Sequence, residues 1–302
     1  MSWALSLVAS PSPTGLESGI ATGASAVLAE LGCVAGDPRW LAPGIACEIS
    51  LNIPADPSLP LRIVAALCAK LAGANVDIAL QPAVGRRKRL LFADMESTII
   101  AEELLDQIGQ RIGLAERIEA ITRRAMRGEI EYAQSLRERV ALLNGLAVKQ
   151  FAALGGSITL NPGARRLVQT MRAHGAHTVL VTGGFDIFAR LVREQCGFHA
   201  DFANRLIVAG EQLSGEVAEP ILDRQGKRAI VERIAAEQGL STDAAIAVGD
   251  GANDIDMLKA AGLGVAYRGK AAVKAAVPCH LDHADLSALL FFQGYHADEF
   301  RD

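Results

Sequence analysis

Three short apolar runs in this chain each stop at a polar cluster, and that repetition restricts the fold more than any other feature. Leu90-Leu-Phe-Ala93 ends at Asp94-Met-Glu-Ser-Thr98. Thr178-Val-Leu-Val181 ends at Thr182-Gly-Gly-Phe-Asp186. Ala245-Ile-Ala-Val248 ends at Gly249-Asp-Gly-Ala-Asn-Asp254. A short, continuous apolar run suits a parallel strand buried on both faces. Each run precedes a helix-like segment, and the repeated order predicts a doubly wound, Rossmann-like α/β sheet. In such sheets ligands sit at the carboxyl ends of the strands, where all three clusters fall.

Between the first two clusters the strand signal fades. Leu104, Ile108 and Ile112 recur at helical spacing, as do Leu136, Val140 and Leu143. A helical insertion over about residues 101–170 is predicted, lying over the active-site end as a cap. Residues 1–85 follow another pattern. Strands are predicted near Leu5–Ala9, Ala46–Leu51 and Val76–Leu80, and helices near Leu16–Leu31 and Leu59–Leu71. The turn-rich stretch from Gly36 to Gly44 has room for one more short strand. This order predicts a ferredoxin-like α+β domain, with the boundary at Gln81–Lys88 and a second domain over 86–302. The 302 residues leave room for about two domains.

Half of the residues are hydrophobic, 21% are charged and the net charge is −4. This describes a soluble globular chain and makes nucleic acid a poor partner. The five cysteines are scattered and odd in number, without a CxxC pair. A complete disulfide framework and a zinc site are therefore not expected. The opening apolar stretch lacks a basic start and breaks at Pro11, so it reads as a strand and not as a leader. No apolar run is long enough to span a membrane. A cytoplasmic enzyme is expected.

Asp94 and Asp250 end two different strands, and Glu96 and Asp254 follow closely. So many carboxylates in one place repel unless a cation or shared proton intervenes. Oxygen-only ligands favour Mg²⁺ over zinc. Thr182-Gly183-Gly184 offers a hydroxyl and backbone N–H groups to an anion. Lys227 can add a point charge.

Together these motifs resemble those of the haloacid dehalogenase superfamily of phosphotransferases, and over about residues 88–290 the chain is similar to the phosphoserine phosphatase family. Val181-Thr-Gly-Gly-Phe-Asp186, Phe202-Ala-Asn-Arg-Leu206 and Val248-Gly-Asp-Gly-Ala-Asn-Asp-Ile255 carry the likeness in the core. Met126-Arg-Gly-Glu129 and Ser135-Leu-Arg-Glu-Arg139 carry it in the cap. The order of the N-terminal elements is that of ACT-like modules.

The resemblance implies hydrolysis of O-phosphoserine through an aspartyl-phosphate, the final step of serine biosynthesis. Asp94 would be the nucleophile and Glu96 the general acid/base, with its backbone carbonyl on Mg²⁺. Asp94 and Asp250 would ligate the metal directly, with Asp254 supporting them. Thr182, Gly183, Lys227 and Asn253 would hold the phosphoryl oxygens. Glu103 would meet the substrate ammonium and Arg139 its carboxylate, with Met126 and Tyr132 around the small side chain. One position departs from the family: the second acid of the first motif is normally Asp, and here it is Glu96. An extra methylene moves the carboxyl by roughly 1–1.5 Å, and a misplacement of about 1 Å can cost on the order of 100-fold in rate. Two other readings are a phosphatase or phosphotransferase for another small molecule, such as homoserine, and a catalytically weak amino-acid sensor. A homodimer is also compatible with the sequence.

Overall fold

The computed structural model describes residues 2–10, 15–16 and 18–302. Pro11, which closes the first apolar run, lies outside them. The N-terminal elements are β1 (Ser2–Ala9), α1 (Ser18–Glu30), β2 (Val34–Ala35), β3 (Arg39–Ala42), β4 (Ala46–Asn52), α2 (Leu59–Lys70) and β5 (Val76–Pro82). The turn-rich stretch thus holds one short strand, β3, and a second, β2, precedes it. The sheet order is β2-β4-β1-β5, with β3 also pairing β4, and β1 is antiparallel to β4 and β5. A return of the last strand to the side of the first is the ferredoxin-like arrangement.

Strand alternation decides how this sheet is covered. Leu5, Leu7, Cys47 and Ile49 pack with Leu28 and Ile63 beneath α1 and α2. The opposite face is not free. Val8, Ala42, Ala46 and Ala79 share one core with Phe291 and Phe292 of the larger sheet's layers. Ser6 and Gln81 donate to the carbonyls of Phe291 and Phe292 at 3.5 and 2.6 Å. The buried Asp77 carboxylate accepts the backbone N–H groups of Asp282, His283 and Ala284 at 2.7–3.2 Å.

The rest of the chain begins with β6 (Leu90–Ala93), followed by the helical insertion: α3 (Leu104–Arg111), α4 (Ala115–Met126), α5 (Tyr132–Ala141) and α6 (Val148–Ala152). A bridge between Ile100 and Leu160 closes its neck. The sequence pattern ran the insertion to about 170, but α7 (Ala164–Ala173) packs on the main sheet, with buried Leu167, Val168 and Met171 in the core. Next come β7 (His177–Phe185), α8 (Asp186–Cys196), β8 (Ala200–Asn204) and a hairpin of β9 (Leu206–Ala209) and β10 (Gln212–Val217). The chain ends with α9 (Arg224–Glu237), β11 (Ala245–Gly249), α10 (Ile255–Ala260), β12 (Leu263–Tyr267), α11 (Ala271–Ala276), β13 (Cys279–Leu281) and α12 (Ala288–Phe292).

The main sheet has the order β13-β12-β11-β6-β7-β8 and its pairs are parallel. Leu90 and Phe92 face α9 and α10, while Leu91 and Ala93 face the α7 and α12 layer. Both faces are covered, which explains why β6 is apolar without alternation. The winding reverses between β6 and β11, where a doubly wound sheet opens a crevice. No helix among the described residues is long and apolar enough to cross a membrane.

Candidate active site

The register places the two strand-end aspartates side by side. Ala93 lies opposite Val248, and the Asp94 N–H donates to the Val248 carbonyl at 3.0 Å. Asp94, Asp250 and Asp254 are buried and bring carboxylate oxygens within 4.8 Å of one another. Lys227, on α9 and fully buried, donates to Asp94 Oδ1 at 2.6 Å and to Asp254 Oδ1 at 2.7 Å. The Gly251 N–H donates to Asp254 Oδ2 at 2.9 Å. Asp254 also lies on Gly249, where a Cβ would come within 2.6 Å of its carboxyl carbon.

The electrostatics follow from this packing. Burial, then the Asp254 charge, hold the Asp94 carboxyl well above the usual range, with Lys227 acting in opposition. Burial also raises Asp250, partly offset by Lys270, whose Nζ stands 3.1 Å from Asp250 Oδ2. Burial opposes the Lys227 charge, but Asp254 and Asp94 outweigh it and keep the ammonium above its ordinary value. Three buried carboxylates cluster here, two of them on the buried Lys227 ammonium, and every candidate ligand atom is oxygen. That donor set fits a hard divalent cation.

On the β7 side, the buried Thr182 hydroxyl accepts the Gly184 N–H at 2.9 Å. The Gly183 carbonyl accepts from the Tyr132 hydroxyl at 3.2 Å and from Asn204 Nδ2 at 2.8 Å. A Cβ on Gly183 would lie 2.5 Å from the Tyr132 hydroxyl and 4.0 Å from Asn253 Nδ2. Gly183 is therefore where the cap, β7 and the loop after β11 converge, and a side chain there would separate them. Burial pushes the Tyr132 phenol up to about 12.

The turn after β6 carries the remaining acid. Glu96 has extended backbone, and Ser97 follows in the left-handed region at φ 55°. Glu96 Oε1 accepts the Leu104 N–H at 2.8 Å, at the first residue of α3. Burial, then the Glu103 charge, push the Glu96 carboxyl up to about 7. Ser97 Oγ donates to Glu103 Oε1 at 2.8 Å. Glu103 opens to solvent at the mouth of the cleft, yet the surrounding protein raises its carboxyl too. Arg139, half-buried on α5, donates from Nε to the Ser135 carbonyl at 3.3 Å, and its charge counters the rise at Glu96.

Most of the residues expected from sequence thus gather in one crevice. Met126 stands apart at the end of α4, 77% exposed. Two neighbours were missed. Lys270 follows β12, a fourth apolar run with polar residues at its end, and that placement was the available signal. Asn204 ties Gly183 to the Leu222 N–H, which its Oδ1 accepts at 2.7 Å. It lies inside a stretch whose family likeness was evident without a role.

Comparison with known proteins agrees with this geometry. The haloacid dehalogenase-like hydrolase family matches residues 88–262. Phosphoserine phosphatase SerB2 of Mycobacterium tuberculosis is 36% identical over 94% of this chain and 69% of its own length. Phosphoserine phosphatase of Lactococcus lactis is 42% identical over 70% of this chain and 98% of its own. A solved phospho-aspartyl intermediate analogue of phosphoserine phosphatase superposes with TM-score 0.64 at 36% identity, covering 68% of this chain and 99% of that one. Some relatives are longer: the chain spans 59% and 58% of the phosphoserine phosphatases of Archaeoglobus fulgidus and Streptomyces coelicolor. The chain belongs to the haloacid dehalogenase-like hydrolases, where the relatives it matches carry the name phosphoserine phosphatase.

Proposed function

We propose that this chain hydrolyses O-phosphoserine to serine and inorganic phosphate through a phosphorylated Asp94. The observation that carries the reading is the buried Lys227 bridge. Its ammonium pins Asp94 Oδ1 at 2.6 Å, and Oδ2 accepts no hydrogen bond among the described residues. Asp94 thus has one oxygen held and one available as nucleophile. The relative solved as a phospho-aspartyl analogue supports the same role.

In the first step an Asp94 oxygen bonds to phosphorus and the bond from phosphorus to the serine oxygen breaks. The departing oxygen takes the Glu96 proton, which a carboxyl raised to about 7 carries at neutral pH. In the second step water attacks phosphorus and returns a proton to Glu96. Phosphate leaves, and the Asp94 carboxylate is restored. The Thr182 hydroxyl, the Gly183 N–H, the Asn253 amide and the third N–H of Lys227 hold the phosphoryl oxygens. Asp94, Asp250 and the Glu96 backbone carbonyl would hold Mg²⁺, with Asp254 fixed behind them by Lys227 and Gly251. The ion would neutralise charge on the phosphoryl group.

Glu103 and Arg139 give the crevice one anion and one cation for an amino acid, and a guanidinium suits a carboxylate. Tyr132 closes one wall. Met126, exposed at the end of α4, lies outside this wall. We read residues 1–85 as a separate packing unit docked on the catalytic domain of 86–302. The test is phosphate release from O-phosphoserine, O-phosphothreonine, phosphoethanolamine and an aryl phosphate, with and without Mg²⁺. Phosphoserine should lead and need the metal; equal turnover of the aryl phosphate would overturn the substrate assignment.

A further inference from the structure

Two contacts lock the turn after β6 to the start of the cap. Glu96 Oε1 accepts the Leu104 N–H, and Ser97 Oγ donates to Glu103 Oε1, each at 2.8 Å. The chain pays for the second contact with an uncommon backbone. Ser97 sits at φ 55°, a region that few residues with a side chain adopt outside tight turns. Glycine would meet no penalty there. A serine at such a position keeps a hydroxyl at the cost of backbone comfort. Its hydroxyl is directed to a carboxylate, and a hydrogen bond to a charged acceptor is stronger than a neutral one.

Glu103 needs such a partner. It closes no helix end, since its side chain makes no cap contact with α3. Surrounding protein raises its carboxyl, and the Ser97 hydroxyl is the strongest influence pulling it back. Nor does Glu103 make an ion pair within 4 Å among the described residues. Ser97 is the only hydrogen-bond donor to its carboxylate there.

We infer that Ser97 is a positioning residue for substrate choice: it orients the Glu103 carboxylate toward the ammonium group of the substrate. The inference rests on the reading of Glu103 given above. The Ser97 hydroxyl donates to Glu103 and to none of the side chains assigned to the phosphoryl oxygens. Its loss should therefore fall on substrates that carry an ammonium group.

The experiment compares O-phosphoserine with 3-phosphonooxypropanoate, which keeps phosphate and carboxylate and lacks the ammonium. Ser97→Ala and Ser97→Gly are measured in the full chain, alone and with Glu103→Gln. Both single variants should raise KM for phosphoserine by about tenfold or more, the range for a hydrogen bond to a charged group, with kcat changed much less. Turnover of the deamino analogue should stay within about twofold of the parent. In the Glu103→Gln background neither substitution at Ser97 should cost more. If Ser97→Gly behaves as the parent, backbone conformation and not the hydroxyl matters, and the inference is overturned. Equal losses on both substrates overturn it as well. A parent that treats both substrates alike removes the role of Glu103 itself, and this inference with it. A parent that discriminates, with serine variants that discriminate equally, overturns this inference alone.

Discussion

Glu96 reaches across the turn after β6 to accept the Leu104 N–H at 2.8 Å, so one carboxylate serves both the strand end and the first turn of the cap. The first backbone N–H groups of a helix lack partners within it. Here Glu96 supplies one, and Glu103, the residue at the cap position, does not. The extra methylene relative to the family's usual Asp gives the side chain that reach.

Substitutions at Glu96 should separate the two tasks. Glu96→Gln keeps an acceptor for Leu104 but carries no transferable proton. Its kcat on phosphoserine should fall by about 10²–10⁴. Glu96→Asp keeps the proton and shortens the reach. It should retain measurable turnover while the Leu104 amide exchanges with solvent about tenfold faster or more. Hydrogen exchange and single-turnover kinetics on the two variants check this. If Glu96→Asp protects Leu104 as well as the parent does, the latch does not depend on the longer side chain.

Lys227 should matter to folding as much as to turnover. Its ammonium is the buried positive charge between Asp94 and Asp254. Lys227→Met removes it and leaves two buried carboxylates uncompensated. Breaking such a pair by one partner costs about 3–5 kcal/mol. Thermal unfolding without metal should shift down accordingly, and millimolar Mg²⁺ should recover more stability in the variant than in the parent. A variant as stable as the parent in chelator would mean that Asp94 and Asp254 are neutral in the folded protein. Asp94→Asn should behave oppositely: a folded protein without steady-state turnover.

The parallel core was legible because burial on both faces leaves β6, β7 and β11 as unbroken apolar runs, and because the carboxylates stand directly after them. The two short strands before β4 were less so: a strand was expected only as room for one within Gly36–Gly44, where Arg39–Ala42 lies, and Val34–Ala35 was not expected. Val34–Ala35 and Arg39–Ala42 are too brief to show a period, and turn residues surround them. The docking of the N-terminal sheet left only a faint sign, the apolar residues on both faces of Leu5-Ser-Leu-Val-Ala9. Small residues such as Ala42, Ala46 and Ala79 make that interface, and nothing in their identity announces a partner. Lys270 was missed for a different reason, although it follows the apolar run of β12. A lysine after Arg268-Gly269 reads as solvated, and the register of β12 beside β11 carries it to Asp250. The Ser97 contact depends on a left-handed turn at a residue that gives no hint of one.

Asp77 should prove to be the main polar tie between the N-terminal sheet and the larger domain. It accepts the N–H groups of three successive residues, Asp282 to Ala284. Asp77→Ala leaves those donors without their acceptor in a partly buried setting, at a cost of about 2–4 kcal/mol. Asp77 shares no hydrogen bond with the candidate site residues, so kcat and KM at 25 °C should stay close to the parent's. Chemical denaturation with activity in parallel measures both. A large loss of activity without a loss of stability would show that the docking contact reaches the site.

The final prediction concerns pH and follows from the cause of the Glu96 shift. A carboxyl raised to about 7 keeps its proton above the ordinary range, and the protonated form is the one that can serve the departing serine oxygen. The sign is therefore a loss as pH rises: kcat/KM on phosphoserine should fall by about tenfold per pH unit above an apparent pKa near 7. Substrate phosphate, with its second pKa near 6, adds a separate limb on the acid side. Variants distinguish the two. Glu96→Gln should lose the alkaline limb and keep the acid one. Burial is the larger cause of the Glu96 shift, and the Glu103 charge comes next. Glu103→Gln should thus move the alkaline limb to lower pH without removing it. If the limb stays in Glu96→Gln, another group donates the proton. If it stays in place in Glu103→Gln, burial alone sets the Glu96 carboxyl, and the two acids act independently.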